Sequence, residues 1–295
     1  MENSTILYNA ITKDGSARIL YLDSTEMTKK AASIHSLSIT ATAVLGRSLT
    51  ISSMMGYMLK NKETLTFKIQ GDGAIGSVVC VADSDGNVKG YVAHPSVELA
   101  KNSKGKIDVG GAIGRGNLYI IKDLGMNEPY VGISPLVSGE IAEDVTEYFA
   151  KSEQTPTICS LGVKVDELGS CVASGGFILQ LLPFSDDAII PLLERNMAQL
   201  APISKMIHDG LTVSEILDKI LKDIPYDLFD PICVDYKCNC SREKYKSALV
   251  SLGVKELQAL IDEEEPVETS CHFCGKKHIF ETKEMIELLK NAMWF

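Results

Sequence analysis

The chain has 295 residues, which exceeds the roughly 100–200 residues of a typical domain, so its length predicts one large domain and a smaller one. Hydrophobic residues make up 45% of the sequence, enough to form a buried core, and this argues against a disordered chain. The formal net charge is −10. Proteins that bind nucleic acids usually carry a basic surface, and the sequence has no block of Lys and Arg, so we expect no nucleic-acid partner.

The N-terminus lacks the features of a secretory signal, because no basic segment precedes a purely apolar run. The only candidate membrane segment runs from Ala31 to Leu59, and His35, Arg47 and many Ser and Thr residues interrupt it. We therefore expect a long, partly buried helix in this segment and no membrane partner. We also expect a cytoplasmic protein, in which the eight cysteines are initially reduced.

The first half of the chain has the pattern of mixed strands and helices. In residues 4–12 and 16–23, apolar and polar residues alternate, which predicts two strands joined by a turn. Ser24 is predicted to cap the helix that follows. A second helical segment extends to Lys60. Further strands are predicted at 65–70, 75–83, 87–93, 117–124, 129–134, 157–165 and 170–183. Cys80, Cys159 and Cys171 lie in these apolar strands, where we expect them to be buried.

From Ser185 to about Pro231 the pattern becomes helical, and several prolines interrupt it. The last 65 or so residues form a small module with cysteine pairs and three short helices. The sequence therefore predicts an α+β protein. It would have a large mixed α/β core domain at 1–184, a helical, metastable connector at 185–231 and a small C-terminal zinc-binding module at 232–295.

Four cysteines carry the strongest chemical signal: Cys238 and Cys240 in CNC, and Cys271 and Cys274 in CHFC. Two close thiol pairs separated by a loop are typical of a tetrahedral zinc site. A module of about 65 residues buries little apolar surface, and zinc bound by thiolates supplies an apparent ~10–16 kcal/mol to such a fold. The sequence therefore predicts one zinc per chain in the reduced state.

The CNC spacing is unusual, because most structural zinc sites have two to four residues between paired ligands. A disulfide between such close cysteines is strained, and strained disulfides belong to the labile, regulatory class. The spacing is compatible with a redox switch, although by itself it favours an inert zinc ribbon. His272, His278 and Cys233 lie near the pairs, but four thiols already complete a tetrahedron, so we interpret these three residues as bystanders.

Two glycine-rich stretches, at 71–76 and 114–119, lack the sequence context of a phosphate-binding loop, so we expect no nucleotide cofactor. Asp72, Glu140 and Asp144 are candidate catalytic acids, but neither a histidine nor a nucleophile accompanies them. The sequence therefore does not indicate an enzyme. A thiol oxidoreductase that uses CHFC is also disfavoured, because the thioredoxin-like βαβ context is missing.

Seven stretches resemble the redox-regulated chaperone family called the 33 kDa chaperonin, or heat-shock protein 33. Two of its motifs, GEIAEDVTEYFAKSEQ and the CxC…CxxC pair, are specific to that family, and both occur here in the family's order. The matching stretches lie at 69–73, 116–125, 138–157, 173–183, 238–244, 252–257 and 271–280. Three positions depart from the family pattern: Ala74 replaces a usual Pro, His278 replaces a usual Tyr, and Cys233 is additional. The departure at His278 leaves its role as a ligand open.

The resemblance implies an ATP-independent holdase that is zinc-bound and inactive when reduced. It further implies that oxidation links Cys238 to Cys240 and Cys271 to Cys274, releases zinc and unfolds the module and the connector. The active form would bind unfolding client proteins, usually as a dimer. The alternative is a zinc-ribbon protein that acts on RNA or in translation, but the module from Asp230 onward is slightly acidic.

Overall fold

The computed structural model describes residues 5–183 and 185–292, and the protein has an α+β fold. The chain divides into two compact units, one within residues 1–237 and the other within 238–295. The strands of the larger unit are β1 (Thr5–Thr12), β2 (Ala17–Asp23), β3 (Thr64–Gly71), β4 (Ser77–Asp83), β5 (Val88–Val92), β6 (Gly116–Asp123), β7 (Tyr130–Pro135), β8 (Thr157–Val165), β9 (Cys171–Leu181), β10 (Tyr226–Leu228) and β11 (Ile232–Val234). Its helices are α1 (Thr25–His35), α2 (Ile39–Tyr57), α3 (Val109–Ile113), α4 (Ala142–Lys151), α5 (Ile189–Ala198), α6 (Ile203–His208) and α7 (Val213–Ile220).

The strands of the larger unit form two antiparallel sheets. The first sheet has the order β10-β1-β2-β9-β8, and β11 also pairs with β1. The second sheet has the order β5-β4-β3-β6-β7. The predicted strands of the first half agree with β1 to β9 to within about two residues at each end. Both sheets are open. Strand β8 forms one edge of the first sheet, and β7 forms one edge of the second.

Helix α2 packs against both sheets and forms the centre of the main core. Sixteen of its 19 residues are buried, although many of them are Ser or Thr. The hydroxyls of Ser48, Thr50 and Ser52 donate to the carbonyl oxygens four residues earlier, which satisfies these polar groups inside the helix. This explains how the segment that resembles a membrane helix can be a core helix. Among the described helices, none has the length and apolar character needed to cross a membrane.

Ser24 occupies the N-cap position of α1, as predicted, but its side chain does not cap the helix. The hydroxyl instead forms hydrogen bonds with Thr50 Oγ1 at 2.6 Å and Ser174 Oγ at 2.9 Å. The side chain is fully buried, so these neighbouring hydroxyls satisfy it in place of the helix backbone.

Helices α5, α6 and α7 cover the face of the first sheet that points away from α2. A second apolar cluster joins Ile19, Tyr21 and Phe177 of the sheet to Leu193 and Ile216 of the helices. The helical pattern ends earlier than the sequence indicates, because Tyr226–Leu228 form β10. Pro225 precedes this strand, and the open edge of β1 supplies its backbone partners.

The last residues of the larger unit are fixed to β5. Val88 N–H donates to Asp235 C=O at 3.0 Å, and Lys237 N–H donates to Val88 C=O at 2.9 Å. The buried Tyr236 hydroxyl also donates to Gly90 C=O at 2.8 Å. The boundary between the two units follows directly after these contacts, at residue 238.

The smaller unit consists of α8 (Arg242–Ser251), α9 (Val254–Asp262), β12 (Val267–Ser270), β13 (Lys277–Phe280) and α10 (Thr282–Ala292). Strands β12 and β13 form a hairpin. Within the described part of this unit, the buried apolar cluster contains Leu249, Leu257, Phe280, Met285 and Leu288. Five residues form a small core, so the unit needs a further source of stability.

Asp144 stabilises the start of α4 and provides a first test of the fold. Its Oδ1 accepts hydrogen bonds from the N–H groups of Val137, Ser138 and Gly139, and its Oδ2 accepts one from Ile141 N–H. Ile141 also has a left-handed backbone, with φ of 72°. Because Asp144→Ala would leave four backbone donors without an acceptor, two of them buried, we expect a loss of about 3–4 kcal/mol in the free energy of unfolding, measured by urea denaturation.

Glu143→Ala is the matched control, because Glu143 lies in the same helical turn and is exposed. We expect this variant to lose less than about 1 kcal/mol. Equal losses in the two variants would contradict the role assigned to Asp144.

Candidate metal centre

The smaller unit brings the four cysteines of the two motifs together. Cys238 and Cys240 precede α8, and Cys271 and Cys274 lie in the connection between β12 and β13. The four Sγ atoms all lie within 4.8 Å of one another. Two segments that are about thirty residues apart in sequence therefore meet at one sulfur cluster.

The backbone around each pair is held by local hydrogen bonds. In the second pair, the N–H groups of Cys274 and Gly275 both donate to Cys271 C=O, at 3.3 and 2.8 Å. Gly275 has φ of 69°, a conformation that glycine adopts without strain. Beside the first pair, Ser241 caps α8 by accepting from Lys244 N–H. These turns hold the backbone from which the thiols extend.

The distances between the sulfurs fit a tetrahedral metal ion. A zinc ion with Zn–S bonds of about 2.3 Å places its sulfur ligands about 3.8 Å apart. The Sγ atoms of Cys238 and Cys271 are 3.7 Å apart, and those of Cys240 and Cys274 are 3.5 Å apart. Both distances are far longer than the roughly 2.0 Å of a disulfide bond, and all four cysteines are free thiols. The donor set and its spacing can hold one zinc ion.

The electrostatics of the cluster also favour a bound cation. Burial raises the pKa of the Cys238 thiol, and it raises the pKa of Cys240 to about 12. For Cys271, burial acts in the same direction, but hydrogen bonds from the Tyr245 hydroxyl and from nearby backbone N–H groups outweigh it and lower the pKa to about 7. A cluster of this kind resists ionisation of all its thiols unless a cation compensates the charge, and a divalent metal ion would do so.

The three residues interpreted as bystanders lie outside the sulfur cluster. In the described part of the chain, the group of metal-ligating atoms contains the four cysteines and neither histidine. His278 is buried on β13, and its ring packs against Tyr245 with ring centroids 5.0 Å apart. Cys233 belongs to β11 of the larger unit.

Tyr245 is the residue of this site that the sequence did not single out. It lies on α8, where its hydroxyl lowers the pKa of the Cys271 thiol and its ring contacts His278. Its position, five residues after Cys240 on the helix that follows the first pair, is the only signal in the sequence. The contact with Cys271 depends on the distant hairpin, and for this reason it could not be inferred from α8 alone.

The other cysteines and the candidate catalytic acids have structural roles. Cys80 and Cys171 are buried, as expected, whereas Cys159 is only partly buried against the core. Burial raises the pKa of each of these thiols, which makes them unreactive. Asp72 accepts a hydrogen bond from the backbone N–H of Arg115. Glu140 forms an ion pair of 2.6 Å with Arg47.

We predict that the protein purified under reducing conditions binds about one zinc per chain. Cys271→Ser removes one of the four sulfur ligands, so this variant should lose most of the metal, as measured by elemental analysis. Cys233→Ser is the matched control and should keep full zinc content. Retention of zinc by Cys271→Ser would show that the sulfur cluster is not the binding site.

The chain matches the family model for Hsp33 protein over residues 6–281. It is 44% identical over 289 residues to the 33 kDa chaperonin of Clostridium botulinum strain Alaska E43, covering 97% of this chain and 98% of the relative. It is 43% identical over 285 residues to the 33 kDa chaperonin of Acetivibrio thermocellus, covering 96% of each chain.

A solved structure is also similar over the whole length. The crystal structure of the 33 kDa chaperonin from Thermotoga maritima superimposes with a TM-score of 0.91 at 38% sequence identity, covering 100% of both chains. The similarity in sequence and in structure thus extends over nearly the whole chain. The chain belongs to the Hsp33 family of chaperones.

Proposed function

We propose that this protein is a redox-regulated, ATP-independent holdase, inactive when reduced and zinc-bound, and activated by oxidation. The observation that carries the proposal is the combination of a small core and a sulfur cluster in one unit. Five buried apolar residues form the described core of the smaller unit, and the four cysteines bring the segment before α8 to the connection between β12 and β13. Loss of the sulfur cluster would therefore remove much of what holds the unit folded.

In the reduced state, Cys238, Cys240, Cys271 and Cys274 would hold one zinc ion as thiolates. The ion supplies charge compensation and four bonds that join the segment before α8 to the β12–β13 hairpin. Tyr245 and the backbone N–H groups beside Cys271 orient and stabilise one of these thiolates. The cluster is thus a structural link that depends on reduced sulfur.

Oxidation would convert the four thiolates into two disulfides, Cys238–Cys240 and Cys271–Cys274. Each disulfide forms one S–S bond and gives two electrons to an oxidant such as a peroxide, which is reduced to water. Each of these disulfides closes within its own segment, so neither joins the two segments. Pairing across the segments would instead keep the unit tied together. Pairing within each segment therefore suits a switch that unfolds.

The connector provides the surface that activation would uncover. Helices α5 to α7 are short, and their stability depends on apolar packing against the first sheet. The sheet face beneath them contains the buried side chains of Ile19, Tyr21, Phe177 and Leu179. If the connector opened, both its own apolar residues and this face would be available to unfolding proteins.

Unfolding of the smaller unit would reach the connector along the polypeptide chain. Residues 235–237 are fixed to β5, and Cys238 follows immediately. Once the contacts of residues 235–237 open, disorder that begins at residue 238 would reach the short strand β11 and then β10 in the connector. Among the described strands, each of these two pairs only with β1. Segments with few long-range contacts open at lower cost than the core.

We also propose that the active form is a dimer in the cytoplasm and that its partners are unfolding proteins. The names of the relatives, 33 kDa chaperonins, support the chaperone role. The acidic net charge of −10 and the absence of a basic block in the sequence argue against nucleic acid as a partner.

We predict that mild peroxide treatment with gentle heating turns on the suppression of client aggregation, with no added nucleotide, and releases zinc over the same time course. Light scattering of a thermally unfolding client measures the first effect, and a zinc-sensitive dye measures the second. The reduced protein should suppress aggregation weakly.

Cys233→Ser should respond to peroxide as the unmodified protein does, since this residue lies outside the sulfur cluster. Full activity of the reduced, zinc-loaded protein, or zinc release without any gain in activity, would contradict the redox switch.

A further inference from the structure

A cavity of about 620 Å³ lies where the two sheets of the larger unit meet the end of α2. In its described lining, Arg18 of β2 and Gln180 of β9 come from the first sheet, and Leu65 of β3 and Lys122 of β6 come from the second. A volume of this size is typical of small-molecule sites, which span roughly 300–1,000 Å³. None of the four clustered cysteines belongs to this lining, so the cavity is distinct from the candidate metal centre.

The wall of the cavity is largely apolar. More than half of its described lining residues are apolar, among them Met55, Met58, Leu59, Phe149 and Leu181. Met55 and Phe149 are buried, whereas Met58 and Leu59 are only partly buried, so the wall includes apolar surface that water still reaches. A ligand that covers this surface removes it from water, which favours a ligand with an alkyl chain.

Arg18 has one edge of its guanidinium open to a ligand. Its Nε and Nη2 atoms both donate to Gln180 Oε1, at 3.3 and 2.8 Å. Gln180 is buried, and its Nε2 donates to Thr157 Oγ1 at 3.1 Å, which fixes the amide in this orientation. Gln180 thus occupies one edge of the guanidinium, and the edge formed by Nη1 and Nη2 has no hydrogen-bond partner among the described residues. A carboxylate fits such an edge with two parallel hydrogen bonds.

The cavity has a net positive charge in an acidic chain. Lys122 forms an ion pair with Glu153, which also accepts a hydrogen bond from the Tyr148 hydroxyl at 2.6 Å. Arg18 forms no ion pair within the described chain, and burial lowers the pKa of its guanidinium. The described lining therefore carries a net charge of +1, although the formal net charge of the chain is −10. A partly buried cation without a counter-ion is costly, and one bound carboxylate would offset that cost.

We propose that this cavity binds one medium-chain fatty acid, with the carboxylate on the open edge of Arg18 and the alkyl chain along the apolar wall. The single charge of a carboxylate balances the charge of the lining, whereas a phosphate dianion would leave an excess negative charge in a partly buried site. An uncharged alkyl chain would leave Arg18 without a counter-ion. The site does not depend on the proposed redox switch, because none of its described lining groups is a thiol.

The test uses the full-length, reduced, zinc-loaded protein and sodium octanoate, and isothermal titration calorimetry measures the Kd. We expect octanoate to bind about tenfold more tightly than 1-octanol, which has the same chain but lacks the charge. Acetate has the charge but lacks the chain, so it should show no measurable binding at the same concentrations. Equal affinities for octanoate and 1-octanol would overturn the proposal.

A variant of Arg18 locates the site. Arg18→Met keeps an unbranched side chain but removes the charge, so we expect it to weaken octanoate binding about tenfold and to leave 1-octanol binding unchanged. Arg115→Met is the matched control, because Arg115 is exposed and lies outside the described lining. It should bind octanoate normally. Unchanged octanoate affinity in a folded Arg18→Met protein would overturn the proposal.

A pair of variants at Met58 keeps the test decisive if Arg18→Met fails to fold. Met58 lines the cavity and is only partly buried, so we expect a polar side chain to be tolerated there. Met58→Glu would place a carboxylate in the cavity that competes with the ligand for Arg18, and octanoate binding should weaken at least about tenfold relative to Met58→Gln. Met58→Gln is the matched control, because it has the same size without the charge. Equal octanoate affinities of the two variants would overturn the proposal.

Discussion

The convergence of four sulfur atoms within 4.8 Å is the constraint on which the smaller unit depends. The sulfurs come from two chain segments with little secondary structure of their own, and the apolar core beside them is small. A metal ion bound there would supply a stabilisation that the core does not. Under the proposed redox switch, a peroxide would oxidise the same thiolates and so remove that stabilisation.

The larger unit is stabilised mainly by its apolar core. Helix α2 packs between two sheets and is almost entirely buried, which indicates a core that does not need the metal. The connector lies on the opposite face of the first sheet and contributes a separate apolar cluster. The two apolar clusters are separate, and under the proposed switch the connector would open while the main core stays intact.

Much of this arrangement follows from local sequence signals. The alternation of apolar residues predicts β1 to β9, and the spacing of CNC and CHFC predicts that the four thiols meet. The exceptions share one cause, which is contact with residues distant in sequence. Ser24 bonds Thr50 and Ser174 instead of capping α1, and Tyr226–Leu228 form a strand because the edge of β1 lies beside them. No local pattern contains that information.

We propose that oxidation converts the connector and the smaller unit from an ordered to a disordered state. Amide hydrogen exchange of the reduced, zinc-loaded protein and of the oxidised, zinc-free protein tests it most directly. We expect exchange to rise sharply from about residue 185 to the C-terminus, while residues 5–183 stay protected. Unchanged exchange in the connector of the oxidised, zinc-free protein would contradict the mechanism, even if the sulfur cluster were confirmed as the zinc site.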